Sequence, residues 1–401
     1  MSSAKEVQTK GLILDASLLE GGGQGNYIVS CLLNKPIKLL NVRAKREAPG
    51  LKPQHACGIK LMQNIFQADL QGDNIGSQEI YFKPNKVNTS STFIADTQTA
   101  GSITLLIQIS LPALLFSTLP PKTNLFIPPR SKKVILKGGT TVISSPPIDF
   151  IIEVFKPIVE REFGLNFNVS IIGRGYYPQG KGEVILQVDP IVERALKPLN
   201  LVERGTIVKV KGRVTICNTS KQIGKQMVAC ASKVLTEASL PELEGIQFDI
   251  ETNIERINAG KGSEILLWAE TNTGCIISGN ATINKRESPE EVGRNAAEAL
   301  IRNLKHGGCV DEHLQDQLII FMALAEGRSK LVTGPVTLHT RTAIYFVEVM
   351  SGAKFHVKKF NSSESLLVNM QDEREFNSPD LNGSLYLIEC EGIGLKISKE
   401  G

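Results

Sequence analysis

The stretch DEHLQDQLIIFMALAEGRSKLVTGPVTLHTRTAIYFVE, residues 311–348, predicts a helix, a short strand, and a turn that opens a second helix. Apolar residues in its first part recur at the spacing of a helix that packs on a core, and Gly327 is the expected stop. His313, Asp316 and Gln317 stand at i, i+3 and i+4, so they share one face near the polar end of this helix.

His339 lies at the expected start of the second helix. A histidine in this place meets the positive end of the helix dipole and unpaired backbone N–H groups. That environment favours the neutral imidazole, which is the nucleophilic form, and offers an anion site beside it. A single histidine at a helix start is also commonly a cap or a surface residue, so chemistry at His339 needs support from the rest of the chain.

Length, charge and cysteine content exclude several classes of protein. At 401 residues the chain can bury a sizeable core, and two domains are the default expectation. A net charge of +4 does not indicate nucleic-acid binding by the whole surface, so an RNA site would have to be a local patch. Seven cysteines without a CxxC pair favour neither a disulfide framework nor a zinc site, and fit an intracellular setting. The longest apolar run, residues 103–116, is too short to span a bilayer, so no membrane partner is expected.

A glycine run near the N-terminus has the form of a phosphate-binding turn. The motif EGGGQ, residues 20–24, follows the strand-like GLILDASLL and precedes the helical YIVSCLL. A strand, a glycine turn and a helix in this order let backbone approach a phosphate closely, although such a run is often only a tight turn. No Gly-Lys-Ser/Thr follows, which excludes a Walker loop.

A second motif combines positive charge with a proline–glycine turn. Four cations surround the turn at Pro49-Gly50: Arg43, Lys45, Arg46 and Lys52. Arginine grips phosphate through a planar fork of donors, and Gln54-His55 follows at the start of a predicted helix. An isolated group of cations is more commonly a solvated loop, so this turn alone does not establish a phosphate site.

The chain also shows a weak internal repeat. Residues 96–116, DTQTAGSITLLIQISLPALLF, repeat the glycine turn and apolar helix of residues 20–33, and each is followed by a helix preceded by proline. The stretch at 311–348 supplies a third pair of helices. Between them, residues 189–283 predict a small α+β unit, bracketed by polar linkers and inserted into a larger domain formed by residues 1–188 and 284–401.

Taken together, these motifs resemble the RNA 3'-terminal-phosphate cyclase family, in its catalytic, animal-like branch. The resemblance runs from Glu20 to Cys390 and rests on EGGGQ, the Arg-x-x-Arg, Pro-Gly-Leu and Gln-His pattern of residues 43–55, ADTQTAGSI, and HGGCVDEHLQDQL followed by GPVTLHT. It implies an α/β (α+β) fold. The large domain would contain three repeated βα units, with helices packed on four-stranded sheets as in enolpyruvyl transferases, and would carry the inserted small domain.

The resemblance also implies an activity. ATP would drive the conversion of an RNA 3'-terminal phosphate to a 2',3'-cyclic phosphodiester, through a covalent histidine–AMP and an RNA-(3')pp(5')A intermediate. His339 would accept AMP, and Arg43 and Arg46 would be catalytic and, with His55, would contact the RNA phosphate. Glu20 would help to hold Mg²⁺ or Mn²⁺. The implied nucleotide-binding residues are Gln24, Gln54, His55, Gln108, Pro146, His313, Asp316 and Gln317. The implied partners are ATP and RNA with a 3'-phosphate end; similarity to animal members favours the nucleus over the cytoplasm, and the sequence gives no oligomeric state.

Several positions depart from the family pattern and keep alternatives open. His313 replaces a tyrosine that stacks on adenine, Tyr27 stands where an arginine follows EGGGQ, and Lys181 occupies a glycine position in YPQGKGEV. The stretch GGTTVISSPP also departs from the pattern. One alternative is a non-catalytic cyclase-like factor of ribosome assembly, which would lack the nucleophile. Another is an enolpyruvyl transferase, which shares the repeated units but forms no histidine–AMP.

Overall fold

The computed structural model describes residues 11–16, 24–117, 131–255, 260–284, 286–360 and 384–397. Glu20 and residues 361–383 therefore lie outside the described residues. Within the described ranges the chain forms four sheets of four strands each, and three of these sheets share one topology.

The first unit runs strand, helix, strand, helix, strand, strand. Its elements are β1 (Leu12–Asp15), α1 (Gln24–Leu32), β2 (Ile37–Leu40), α2 (Pro53–Phe66), β3 (Asp69–Gln71) and β4 (Ile80–Lys83). Strands β1 and β2 are parallel, and β4 pairs antiparallel with both β2 and β3. The strand order is therefore β1-β2-β4-β3, with α1 as the crossover between the parallel pair.

The second unit repeats this plan. Its elements are β5 (Thr92–Asp96), α3 (Ile103–Leu115), β6 (Lys132–Gly138), α4 (Ile148–Phe150), α5 (Lys156–Phe163), β7 (Phe167–Gly173) and β8 (Gly182–Val188). A π-helical turn, Ile151–Phe155, joins α4 to α5 into one helical segment. The strand order β5-β6-β8-β7 has the same parallel and antiparallel pairings as the first sheet.

A separate α+β insert follows the short strand β9 (Asn200–Leu201). Its elements are β10 (Ile207–Cys217), α6 (Lys221–Glu237), β11 (Phe248–Glu255), β12 (Gly262–Thr271), β13 (Ile276–Thr282) and α7 (Pro289–Lys305). The insert has its own sheet, in the order β11-β10-β12-β13, and α7 packs on α6, β12 and β13. Helix α7 begins with a capping box, in which Ser288 and Glu291 each satisfy the other's backbone N–H.

The third unit resumes after the insert. Its elements are α8 (Glu312–Leu324), β14 (Glu326–Thr333), α9 (Leu338–Ser351), β15 (Lys354–Lys359) and β16 (Tyr386–Ile393). With β9 they form a sheet in the order β9-β14-β16-β15, so the insert occupies the connection between the first strand of this unit and its first helix.

The helices of the three units meet in one core. Helices α3 and α8 are buried on almost every side, which requires neighbours all round an apolar helix. Those neighbours come from all three units, because α3 packs against α1, α2 and α8, while α9 packs against α1 and α8. This packing joins the helices that carry most of the predicted site residues.

The insert is fixed to the second unit by a buried ion cluster centred on Arg174. The Arg174 side chain is 2% exposed, and its guanidinium donates to Asp149 and to two insert residues, Glu255 (2.8 Å) and Glu264 (2.9 Å). Burial opposes ionisation of Asp149, but the hydrogen bonds and charge of Arg174 outweigh it and lower the pKa of that carboxyl. Since an unpaired buried charge is costly, this cluster holds the two parts in a defined arrangement.

The predicted fold class is confirmed, with two local corrections. Gly327 does not stop α8; the helix ends at Leu324, and Gly327 lies within β14 with a φ of 95°. The sequence predicts only a polar linker before the insert, yet Asn200–Leu201 within this stretch pairs in parallel with β14. The domain division at residues 189 and 283 stays a prediction. Strand β9 lies inside these bounds but pairs with β14 of the third unit, and α7 lies outside them but packs on the insert. None of the described helices has both the length and the apolar composition needed to cross a bilayer.

Candidate active site

His339 is the second residue of α9, and its side chain is exposed. The helix is capped by Thr337, whose Oγ1 accepts a hydrogen bond from the Thr340 N–H at 3.1 Å. The first amides of a helix point outward and carry the positive end of its dipole. The structure thus places His339 at a helix start, as predicted, beside a position suited to an anion.

Gln315, in α8, holds the turn between β14 and α9. Its side-chain amide is buried, with 1% of the residue exposed. The amide nitrogen donates to Thr333 Oγ1 (2.6 Å) and to the carbonyl of Pro335 (3.2 Å). The amide oxygen accepts from the Thr337 N–H (2.9 Å) and the Thr340 hydroxyl (2.6 Å). All four hydrogen-bonding positions of a glutamine side chain are therefore used to fix this turn.

The sequence did not single out Gln315, although it lies between the predicted residues His313 and Asp316. It points to the buried side of α8, away from the face that the helical spacing identified. The nearest signal in the sequence was that Gln315 is adjacent to the residues of that face. A buried glutamine beside the turn that precedes a candidate nucleophile is expected to have hydrogen-bond partners.

Aspartate Asp311 connects the start of α8 to the insert. Its Oδ1 accepts from the N–H groups of His313 (3.0 Å) and Leu314 (2.8 Å), as an N-cap does. Its Oδ2 accepts from the N–H (2.9 Å) and hydroxyl (2.6 Å) of Ser278, in β13. The insert therefore takes part in setting the position of the helix that carries the predicted nucleotide-binding face.

The predicted nucleotide-binding face contacts the second unit. The His313 ring packs edge-on against Phe150, with centroids 6.0 Å apart and planes at 85°. The Gln317 amide nitrogen donates to the His313 carbonyl at 2.8 Å, while its amide oxygen is buried and has no partner among the described residues. A buried acceptor left without a donor is costly, so this oxygen is suited to a ligand N–H group.

The Asp316 carboxyl lies on the same face and is only partly exposed. Burial, with the neighbouring carboxyl of Asp311, raises the pKa of Asp316 to about 7. A carboxyl that titrates near neutral pH can either accept or donate a hydrogen bond to a ligand.

The remaining predicted nucleotide-binding residues lie around the start of α3. Gln54 Oε1 accepts from the Ser102 N–H, the N-cap of α3, at 3.1 Å. Thr104 Oγ1 donates to the Pro146 carbonyl at 2.9 Å, and Gln108 lies one turn further along α3, half-buried. Gln54, Pro146 and Gln108 are thus joined to α3, which packs on α8 and so connects them to the His313 face.

His55 follows Gln54 and is held in its neutral form. Its Nδ1 accepts from the Lys52 N–H at 3.3 Å. Burial, with the positive charges of Arg43 and Lys52 nearby, lowers the pKa of His55 to about 4. Near pH 7 the other ring nitrogen therefore carries the proton, and this N–H can donate a hydrogen bond to a phosphate oxygen.

The basic turn is built around the Arg43 side chain. Arg43 has a left-handed backbone, with φ of 54°, and its Nη1 donates to the carbonyls of Ala48 (3.0 Å) and Gly50 (2.8 Å). Gly50 has a φ of 79° and its Cα faces Gly76, where a Cβ would lie 2.1 Å from the Gly76 carbonyl oxygen. Arg46 is exposed in the same turn. The turn is therefore ordered around the Arg43 side chain, while Lys45, Arg46 and Lys52 are exposed, and phosphate binding by these cations stays a prediction.

The sequence analysis named three further positions. Gln24 is the first residue of α1, and Glu20, the predicted metal ligand, lies outside the described residues. Tyr27, which replaces the family arginine, is 3% exposed and packs edge-on against Phe82 at 5.3 Å, with no hydrogen-bond partner for its hydroxyl in the described part of the chain. It faces the core and supplies no phosphate contact. The described residues contain no group of three His, Cys, Asp or Glu side chains that could hold a metal.

Comparison with known proteins decides the family. The sequence profile described as "RNA 3'-terminal phosphate cyclase" matches residues 18–357.

The chain belongs to the RNA 3'-terminal phosphate cyclase family.

Curated relatives support this assignment over most of the chain. A probable RNA 3'-terminal phosphate cyclase of Dictyostelium discoideum is 37% identical over 392 residues, which covers 95% of this chain and 82% of the relative. The RNA 3'-terminal phosphate cyclase of Pyrobaculum neutrophilum is 34% identical, covering 95% and 98%. That of Drosophila melanogaster is 35% identical, covering 87% and 93%. The predicted family, including its animal-like branch, and the prediction of an enzyme are therefore confirmed.

Replacing Gln315 with leucine is expected to impair both the fold and the cyclase activity. The Thr337 N–H and two threonine hydroxyls would lose a buried partner, at a cost on the order of 3 kcal/mol of unfolding free energy. The turn before His339 would also shift, and a displacement of about 1 Å can lower kcat about 100-fold. Denaturant unfolding and steady-state kinetics measure the two effects. Gln222→Leu, at an exposed position of α6, is the matched control, and a Gln315→Leu variant with wild-type kcat would contradict the positioning role.

Proposed function

We propose that this chain uses ATP to convert an RNA 3'-terminal phosphate into a 2',3'-cyclic phosphodiester, with His339 as the nucleophile that accepts AMP. The observation that carries this proposal is the exposed His339 at the start of α9, fixed by a fully bonded Gln315. Gln315 belongs to the same helix as the predicted nucleotide-binding face. Helix α8 therefore positions both the turn before His339 and the residues proposed to bind the nucleotide.

In the first step a neutral His339 nitrogen attacks the α-phosphorus of ATP. A nitrogen–phosphorus bond forms, the bond from the α-phosphorus to the bridging oxygen breaks, and pyrophosphate leaves. The outward N–H groups at the start of α9 favour the negative charge that develops on the α-phosphate. The base of ATP would meet the acceptor oxygen of Gln317 and the carboxyl of Asp316.

In the second step an oxygen of the RNA 3'-phosphate attacks the same phosphorus, and the histidine nitrogen leaves. The product is an RNA-(3')pp(5')A anhydride. In the third step the ribose 2'-hydroxyl attacks the RNA 3'-phosphorus, loses its proton, and expels AMP. The attacking group is already tethered, so proximity supplies much of the rate.

The basic turn and His55 are proposed to bind the phosphates of RNA. Arg43 and Arg46 would supply forked donors, and neutral His55 would donate its free ring N–H. When bound with the nucleotide, Mg²⁺ or Mn²⁺ would neutralise phosphate charge. Glu20 is proposed as a ligand from the family resemblance alone.

A terminal 2'-deoxy substitution tests the proposed sequence of steps. RNA with a 3'-phosphate, incubated with ATP and Mg²⁺, should give an end that resists phosphatase. The same RNA with a 2'-deoxy terminal sugar lacks the last nucleophile, so it should accumulate as the adenylated intermediate. An RNA with a 3'-hydroxyl should remain unchanged. Cyclic product without ATP, or no intermediate on the deoxy substrate, would contradict the proposal.

A non-catalytic RNA-binding role is the alternative left open by the sequence, and it disagrees with the curated relatives, which are named as cyclases. The observation in its favour is Tyr27, which faces the core where the family pattern has an arginine. The test above separates the two, because a binding factor would retain RNA without altering its end. An enolpyruvyl transferase would leave both RNA and the histidine unmodified.

Asparagine at position 316 is expected to stabilise the fold at pH 8 and to weaken ATP binding. The pKa of Asp316 is about 7 in the fold and 3.8 ordinarily, so the folded state holds its proton more tightly than the unfolded chain. Ionising this carboxyl therefore costs stability as pH rises from about 4 to about 7, and the cost stays constant above that.

Thermal unfolding between pH 4 and 8 measures this difference. The variant should gain Tm over wild type as pH rises and match it near pH 4. Wild-type ATP affinity should fall below pH 7 if the carboxylate accepts the adenine amino group, and the variant should lose that dependence. A Tm difference independent of pH would contradict the assigned titration.

A further inference from the structure

The turn between β7 and β8 exposes an aromatic ring that the proposed chemistry does not use. We name residues 176–181 the platform turn. Tyr177 is 72% exposed, which exceeds every other large hydrophobic side chain among the described residues. Its neighbour Tyr176 is only 5% exposed. The turn thus presents one tyrosine to solvent and anchors itself with the other.

The platform turn is held rigidly. The Gly180 N–H donates to the Tyr176 carbonyl at 2.8 Å, which closes the turn. The Tyr176 hydroxyl donates to Glu264 at 3.2 Å, within the buried cluster around Arg174. Gly262 lies against the Tyr176 ring, where a Cβ would meet the ring at 2.3 Å. Because the backbone of the platform turn is fixed, little conformational freedom is lost when a flat ligand stacks on the exposed Tyr177 ring.

Two exposed lysines lie within the platform turn or next to it. Lys181 ends the platform turn in a left-handed conformation, with φ of 60°, which glycine would adopt without strain. The family pattern has glycine here, so this chain keeps a strained cation in its place. Lys261 is exposed between Gly260 and Gly262, and a Cβ on Gly260 would lie 3.4 Å from the Gly180 carbonyl oxygen. An exposed aromatic ring with cations in the same surface region is the combination that single-stranded nucleic acid binds.

The platform turn lies next to the proposed site for the RNA end. A Cβ on Gly180 would be 2.4 Å from the Thr99 carbonyl oxygen, so the turn packs on the loop before α3. That loop ends at Ser102, whose N–H donates to Gln54. His55, the proposed donor to the RNA phosphate, is the next residue after Gln54. An RNA strand whose end meets His55 can therefore reach the platform turn within a short distance.

We propose that the platform turn binds the RNA strand just upstream of its 3'-phosphate end. Tyr177 stacks on one base, and Lys181 and Lys261 contact backbone phosphates on either side. This site rests on the proposed function, since it takes the same RNA as its substrate. Stacking on a π-face tolerates every base, so the site would accept RNA ends without sequence preference.

Binding of a fluorescent RNA with a 3'-phosphate, measured by anisotropy without ATP, tests the proposal. Tyr177→Ala should weaken affinity about 10-fold, and Tyr177→Phe should keep it within about 2-fold, because the ring is retained. Lys181→Gly should weaken binding and reduce the slope of log affinity against log salt by about 0.7. Glycine relieves the backbone strain at this position, so the fold is not endangered. Lys197→Gly, at an exposed lysine elsewhere, is the control.

Abasic substitution shows whether the tyrosine meets a base. A single abasic nucleotide is moved through the last few positions of the RNA. Wild-type protein should lose affinity at one position, and Tyr177→Ala should show no further loss there. An unchanged affinity of Tyr177→Ala, or an abasic penalty that persists in it, would overturn the proposal.

Protein adenylylation by ATP alone separates this site from the proposed function. It should be unchanged in all these variants, since the platform turn takes no part in the first step. A variant that loses adenylylation together with RNA binding would overturn a role confined to RNA. If wild-type protein forms neither histidine–AMP nor cyclic RNA while the stacking pattern holds, the proposed activity fails and the RNA site stands.

Discussion

Replacing His339 with alanine is expected to lower cyclisation of an RNA 3'-phosphate by about 10,000-fold or more while leaving the fold intact. The imidazole is the only protein group in the proposed sequence of steps that forms a covalent bond to AMP, so its loss removes the first step entirely. The side chain is exposed at the second position of α9, and the turn before it is fixed by Gln315. Exposed substitutions of this kind usually change stability by less than about 0.5 kcal/mol.

A bypass substrate makes this prediction specific. RNA that already carries the 3'-adenylate needs only the third step, so His339→Ala should cyclise it at a rate near that of wild type. His356→Ala, at an exposed position of β15, is the matched histidine control and should behave as wild type with both substrates. Equal loss with both substrates would show that His339 does more than accept AMP. Normal cyclisation of the plain 3'-phosphate by the variant would remove the nucleophile assignment.

Replacing Arg43 with alanine is expected to lower cyclisation by about 100- to 1,000-fold, the range for removing one group that stabilises transition-state charge. It should also cost about 1 to 3 kcal/mol of stability, because two backbone carbonyls of the basic turn would lose their donor. Those carbonyls belong to Ala48 and Gly50. Kinetics and denaturant unfolding of the same preparation give both numbers.

Two further substitutions separate the charge of Arg43 from its role in the turn. Arg43→Gly relieves the left-handed backbone at φ 54° and removes the guanidinium, so it should be more stable than the alanine variant but no more active. Arg43→Lys keeps the charge without the fork and should recover only part of the activity. Lys45→Ala removes an exposed charge from the same turn and should have little effect. Full activity of Arg43→Gly would show the arginine to be structural only.

Much of the fold could be predicted because local signals and tertiary structure agree. Glycine turns before apolar helices marked α1 and α3, and the helix, strand, helix pattern at residues 311–348 is α8, β14 and α9. The strand β9 could not be predicted, because two residues carry no periodicity and its partner β14 lies over a hundred residues later in the chain. The prediction for Gly327 was wrong because a glycine that follows a helical pattern can also be one of the first residues of the next strand.

The candidate site was predictable where chemistry shows in the residue type. Histidine at a helix start, paired arginines at a turn, and a polar face on an apolar helix each have a recognisable spacing. Gln315 could not be found in this way, since its function is set by four partners that only the folded turn provides. The same holds for the Arg43 side chain, whose bonds to its own turn depend on a left-handed backbone.

The most direct test of the account is to locate AMP on the wild-type protein. After incubation with ATP labelled in the α-phosphate and Mg²⁺, the label should be stable to alkali and labile to acid, as expected for a phosphoramidate. Mass spectrometry of peptides kept at alkaline pH should place it on His339 alone, and addition of RNA with a 3'-phosphate should remove it. Label on a different residue, or cyclic RNA formed by protein that never carries AMP, would contradict the account.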